Sequence, residues 1–184
     1  MKLKNSLKYY YFPRGFEIKN FSKLIKIQNI SVIVDINNDN FKIKDNFFKT
    51  IKFCRQNRIP YYLTNNYKLA IKHKANGIYL TSDYKIQIYR GIIFSKLKII
   101  GSAHNQKEYF LKRRQFWKEI ALSPLFATNK YSINKILNIH RFNLISNKWN
   151  IRLIALGGIN YLTLKKINMT RVLGLGFNNF IETL

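Results

Sequence analysis

The sequence predicts an α/β fold, a compact (β/α)8 barrel with trimmed helices, and three observations lead to it. First, short apolar runs alternate with longer amphipathic ones along the chain, and eight such runs can be counted. That alternation implies parallel strands joined by helical crossovers. Second, the run IALGGIN (154–160) ends in paired glycines, Gly157 and Gly158, where the backbone can turn sharply and come close to a ligand. Third, another glycine-bearing run, RVLGLGF (171–177), follows after one amphipathic segment. Two successive glycine-ended strands fit a barrel, in which the loops after strands 7 and 8 commonly hold a phosphate. Eight strands fit a closed barrel better than an open sheet, and a flavodoxin-like open sheet is the alternative. At 184 residues the chain is shorter than the ~200–250 residues usual for this fold, hence the trimmed helices. A single domain spanning 1–184 is expected.

In chain order, the aromatic run 8–12 is the first strand, followed by a helix over 21–28 and an apolar strand over 31–35. The long amphipathic stretch 46–58 leads to a strand over 60–64, a helix over 67–75 and a strand over 77–80. The segment after Leu80 is weakly patterned. A strand over 98–101, a helix over 106–116 and a strand over 118–122 come next, then a helix over 133–148. A strand over 151–156, a helix over 161–167 and a strand over 171–174 complete the alternation, with a stubby helix over 178–184.

Composition narrows the class further. No apolar run approaches the ~20 residues needed to span a bilayer. The opening MKLKNSLKYYYF lacks the long apolar segment and small-residue cleavage site of a signal peptide. The single cysteine, Cys54, permits no internal disulfide and reads as a core thiol, in keeping with a reducing cytoplasm. Lys plus Arg number 33 against 8 acids, a formal charge of +25. Such an excess can drive binding to nucleic-acid phosphates. Here Lys, Ile and Asn abound together and the cations are spread along the chain, so compositional drift is the favoured reading and a nucleic-acid-associated module the alternative. A few of the cations can still serve an anionic ligand. The oligomeric state is left open.

In a barrel the strand C-termini converge on one face. Read in turn, the strand ends offer Arg14, then Asp35 and Asn37, then Thr64, Asn65 and Asn66, then Ser82 and Asp83, then Ser102 and His104, then Ser123, Thr128 and Lys130, and finally the glycines. This set is polar, cationic and glycine-rich with few carboxylates, which suits a phosphorylated ligand.

The stretches GSAHN (101–105), SPLFATNK (123–130) and IALGGI (154–159) follow one another at the order and rough spacing of a known family. LTNNYKLA (63–70) and NGIYLTSD (76–83) add two further matches. Together they resemble the thiamine phosphate synthase and TenI-type thiazole tautomerase family, over most of the chain from Ser31 onward. Each motif alone is weak, and five in order are fairly specific. The resemblance implies that hydroxymethylpyrimidine diphosphate is joined to thiazole phosphate, giving thiamine phosphate and pyrophosphate. It implies ligand contacts at Asn65, Ser102, Thr128 and Lys130, and a backbone phosphate cradle at Gly157, Gly158, Gly174 and Gly176. His104 and Lys130 are the implied catalytic residues, and Mg2+ is the implied cofactor, with Asp83 or Tyr84 in the ligand register.

The departures from the family pattern are as informative. The Gln-x-Arg-x-Lys signature that grips pyrophosphate is VIVDIN here (32–37), which removes both cations and places Asp35 at the Arg position. Asn66 stands where the family has a Mg2+-binding Asp. Three functional readings remain: a divergent synthase, a thiazole tautomerase or non-catalytic phosphate-binding barrel, and the basic nucleic-acid module. Alongside these, His104 could cap the helix beginning near Asn105, Asn65 and Asn66 could be turn formers, Asp83 could be a turn or cap residue, and Lys130 could be one of many surface lysines.

Overall fold

A computed structural model describes residues 6–37, 44–85, 97–114, 119–128, 136–149 and 152–178. Eight parallel strands close into a barrel in chain order. They are β1 (Lys8–Tyr11), β2 (Ile30–Val34), β3 (Tyr61–Thr64), β4 (Gly77–Leu80), β5 (Lys98–Ala103), β6 (Glu119–Leu122), β7 (Arg152–Leu156) and β8 (Gly174–Phe177). Among the described residues the helices between them are α1 (Ile18–Leu24), α2 (Lys44–Gln56), α3 (Tyr67–Lys72), α4 (Gln106–Arg114), α5 (Asn138–Trp149) and α6 (Tyr161–Ile167). Pairing of β1 with β8, Lys8 opposite Gly174 through Tyr11 opposite Phe177, seals the sheet and removes the open-sheet alternative.

The period-2 alternation of the strands separates two apolar populations. One set of side chains points into the barrel: Tyr10, Ile33, Tyr62, Tyr79, Ile100, Ala121 and Ile154 form a single cluster, with Phe12 and Leu156 packed on it. The other set, including Tyr11, Val32, Val34, Leu63 and Leu80, packs outward against helix residues such as Phe21, Leu24, Ile51 and Phe142. Cys54 lies in that outer layer, fully buried on α2, and burial pushes its thiol up to about 12. That is the expected core thiol.

Among the boundaries that differ from the sequence reading, two shape the barrel most. The first helix starts at Ile18 rather than Phe21 and stops at Leu24, because the chain must turn through Asn29, at φ 57°, to enter β2. The last strand is Gly174–Phe177, three residues beyond the expected 171–174. Gly174 and Gly176 are therefore inside β8 and not in a turn after it. The physical reason is crowding. A Cβ on Gly174 would sit 2.6 Å from the Lys8 carbonyl oxygen, and one on Gly176 would sit 2.7 Å from Leu156 Cδ1 and 2.9 Å from Phe12 Cε2. Glycine in a strand marks such a close approach as readily as it marks a turn. The expected helix over 178–184 lies outside the described residues beyond Asn178.

Candidate functional site

Strand polarity brings the C-terminal ends of β2 to β7 to one rim, where the inward alternation continues as polar side chains. Below them the barrel is closed by Phe12 and Tyr79, whose rings meet edge to face with centroids 5.3 Å apart. Tyr79 shares a hydrogen bond with the Ser102 side chain, and burial pushes its phenol up to about 12. Ser102, an expected ligand contact, thus belongs to the floor of the mouth.

At the end of β2, the Asp35 carboxylate accepts from the Thr64 hydroxyl at 2.9 Å and from the Asn37 N–H at 3.1 Å. The same hydroxyl accepts from the Ile36 N–H at 3.1 Å, so Thr64 ties the exits of β2 and β3 together. After β3, Asn65 adopts φ 49° and locks reciprocally to Thr81: its amide donates to the Thr81 hydroxyl at 2.7 Å, and the Thr81 N–H donates to its oxygen at 3.0 Å. Asn66 is the N-cap of α3, its side-chain oxygen accepting from the Leu69 N–H at 2.9 Å. Both asparagines are held by the turn, as that residue type allows.

The rim after β4 centres on a residue that the sequence reading did not single out. Lys112 of α4 is fully buried, and its ammonium donates to the Thr81 carbonyl at 2.6 Å and the Tyr84 carbonyl at 2.8 Å. Desolvation lowers its pKa to about 8, against the opposing pull of Asp83 and Glu108. The sequence signal was its spacing: Lys112 falls three residues after the buried Tyr109, on the covered stripe of α4. Asp83, close by, is exposed, and the Thr81 hydroxyl's hydrogen bond holds its carboxyl below the usual range.

His104 follows β5. Its Nδ1 lies 3.1 Å from the Ser123 carbonyl oxygen and 3.0 Å from the Ser123 hydroxyl. The carbonyl can only accept and the hydroxyl can do either, so Ser123 orients the ring through Nδ1. Glu108 fixes the backbone here by accepting from the His104 N–H at 2.6 Å and from the Asn105 side chain at 2.8 Å.

The loops after β6 and β7 interlock. Leu125 N–H donates to the Leu156 carbonyl at 2.9 Å and Phe126 N–H to the Gly157 carbonyl at 3.1 Å. Gly157 and Gly158 take φ of 94° and 68°. A Cβ on Gly157 would lie 2.9 Å from Pro124 Cα, and one on Gly158 would lie 2.5 Å from the Ala127 carbonyl oxygen. The close backbone approach expected at these glycines is therefore made to the chain's own 124–127 segment. Thr128 ends that segment, half-buried, and Lys130 lies outside the described residues.

Among the described residues the rim after β3 and β4 offers a magnesium ion few ligands. Asp83 supplies one carboxylate, the Asn66 oxygen serves the helix cap, and Lys112 already places a cation at the neighbouring carbonyls. Among the described residues no group of three or more His, Cys, Asp or Glu side chains is placed to hold a metal. No described helix is long and apolar enough to cross a membrane.

Fold and rim together define a class: a parallel α/β barrel whose C-terminal mouth gathers a histidine, hydroxyls, asparagines and a left-handed glycine pair. The family model described as thiamine monophosphate synthase matches residues 20–176, and the chain belongs to that family. The thiamine-phosphate synthase of Clostridium tetani is 29% identical over 119 residues, covering 64% of this chain and 56% of that protein. That of Flavobacterium psychrophilum is 28% identical over 138 residues, covering 71% and 66%. The chain thus spans roughly half to two thirds of the length of these curated relatives. Among solved structures, thiamine phosphate pyrophosphorylase from Pyrococcus furiosus superposes with a TM-score of 0.75 at 17% identity, covering 95% of this chain and 87% of that one, a likeness of fold.

Proposed function

We propose that this chain is a divergent thiamine phosphate synthase, a transferase that joins hydroxymethylpyrimidine diphosphate to thiazole phosphate. The observation that carries the reading is the family match across 20–176, set on a closed eight-stranded parallel barrel. In this reaction the C–O bond between the pyrimidine methylene and pyrophosphate breaks, and the thiazole nitrogen forms the new C–N bond. Backbone N–H groups at Gly157 and Gly158 are the proposed cradle for the thiazole phosphate, with Thr128 and Lys130 beside it. Ser102 and Asn65 are proposed on the pyrimidine side, acting through the floor and the turn that they hold. Formation of thiamine phosphate by purified, folded protein given both precursors tests the reading; a folded sample with no turnover overturns it.

Asp35 sets the expected weakness. A carboxylate ~6–8 Å from a phosphate charge costs about 2–3 kcal/mol at an effective dielectric of ~20. Replacing it with Arg would also discard its bonds to Thr64 and Asn37. Asp35→Asn keeps an acceptor for both and removes the charge. Pyrophosphate, titrated calorimetrically, is expected to bind this variant roughly 30- to 100-fold more tightly than the parent; equal affinity would place the pyrophosphate away from β2.

A second reading, thiazole tautomerisation, is favoured by one observation, the fixed His104–Ser123 pair. His104, its ring held by Ser123, is the proposed general acid or base. His104→Ala is then expected to lower tautomerisation by ~10²–10⁴-fold. Coupling, which needs no proton transfer at that residue, is expected to fall far less. Parallel assays of the two reactions on this variant separate the readings.

A further inference from the structure

We propose that the opposite, N-terminal end of the barrel holds a second anion site, for a small organic phosphate. That end of an α/β barrel ordinarily serves stability alone. Here it opens into a cavity of about 440 Å³, within the ~300–1,000 Å³ of ordinary ligand pockets. Lys8 from β1, Lys98 from β5 and Arg58 from the turn after α2 line it together. Arg58 answers the carbonyl end of α2. Lys8 and Lys98 stand on strands, where no helix end calls for a cation.

Of the amides in the wall, Asn57 donates to the Phe53 carbonyl at 2.9 Å and Asn76 faces the other way. The Asn76 oxygen accepts from the Tyr61 N–H at 3.0 Å, so the rest of its amide is donor in character. The nearby Glu119 carboxylate is engaged by the Lys8 ammonium at 2.5 Å and the Tyr10 hydroxyl at 3.1 Å. Burial, reinforced by the Glu119 charge, pushes the Tyr62 phenol in the cavity wall up to about 12, so that group stays a neutral hydroxyl. Three cations against one neutralised carboxylate match a dianion. Ile25, Ile27 and Ile59 form an apolar wall on one side of the cavity. That wall assigns an organic phosphate rather than phosphate alone.

The test uses the intact protein at physiological ionic strength, with phenyl phosphate as the probe and amine labelling read lysine by lysine by mass spectrometry. Labelling of Lys8 and Lys98 is expected to slow several-fold as the probe saturates, and inorganic phosphate is expected to protect them less. The half-protecting concentration, read at Lys8, is expected to rise roughly tenfold in Lys98→Gln and in Arg58→Gln, each losing one charge-assisted hydrogen bond. Protection that spares Lys8 and Lys98 would overturn the proposal. Equal slowing at every exposed lysine would overturn it in favour of diffuse screening of the +25 chain. Equal protection by inorganic phosphate would overturn the organic assignment. A failure of the synthase reading leaves the Lys8 and Lys98 result unaffected.

Discussion

Gly158→Ala is expected to lower the melting temperature by on the order of 10 °C and to abolish whatever chemistry the mouth performs. Two independent effects add. At φ 68° a side chain is strained by about 1–2 kcal/mol. The new Cβ would also meet a backbone carbonyl, that of Ala127, at 2.5 Å, together with Phe126 at 2.7 Å. Those atoms belong to a segment hydrogen-bonded to Leu156 and Gly157, so they can move only by breaking the brace between the two loops. A total of about 2–5 kcal/mol follows from strain plus overpacking. For a chain of this size each kcal/mol corresponds to ~2–4 °C.

Gly176→Ala is the matched control. It meets the ends of the Leu156 and Phe12 side chains, which can rotate aside, and its loss is expected to be a fraction of that at Gly158. Thermal melts of the two variants, alongside thiamine phosphate formation measured well below both transitions, check the ranking. Equal losses would mean that the 124–127 segment yields easily, and the argument for an interlocked rim would fail.

The barrel was legible in the sequence because its strands announce themselves by composition and its helices by period. Aromatic and β-branched runs such as Tyr9–Tyr11 and Ser31–Val34 have no soluble alternative to burial on both faces. The last strand slipped because Gly174 and Gly176 were read as punctuation. Only the three-dimensional neighbours reveal that the Lys8 carbonyl excludes a Cβ at Gly174 and that the Leu156 side chain crowds one at Gly176. The site was legible as a set of strand ends but not as a division of labour. Sequence could place Asn65, Asn66 and Ser102 at the rim. It could not show that Thr81, the α3 amide of Leu69 and the Tyr79 phenol already engage them.

The shortage of acids has a partial structural account. Six of the eight lie among the described residues, and each of the six has a local structural partner: Glu17 with Asn20, Asp35 with Thr64, Asp45 with Lys49, Asp83 with Thr81, Glu108 with the His104 backbone, and Glu119 with Lys8. A drift toward lysine and asparagine that spared carboxylates with partners would leave this pattern. At Asp35 that partner is structural: its carboxylate joins the exits of β2 and β3.

Lys112→Met is expected to carry the other large effect, with a pH signature that identifies its cause. The substitution keeps most of the volume and removes the donor that joins the Thr81 and Tyr84 carbonyls to α4. Leaving buried acceptors without a partner costs about 1–3 kcal/mol each, and both carbonyls belong to the loop that presents Asp83. The parent lysine has its own cost, because desolvation lowers its pKa to about 8 from an ordinary 10.5. Between those values the unfolded chain binds the proton and the folded chain does not, so folded stability rises with pH through that window. Methionine has no such titration. The stability of the parent relative to the variant is therefore expected to grow from pH 8 towards pH 10.5, by at most about 3 kcal/mol at ~1.36 kcal/mol per pH unit. Urea unfolding of both proteins across this range measures it directly, and taking the difference cancels the titration of the remaining lysines and tyrosines. A difference that stayed flat would mean that the ammonium is as well solvated in the fold as in water, and the β4 loop would then owe its order to the Asn65–Thr81 lock alone.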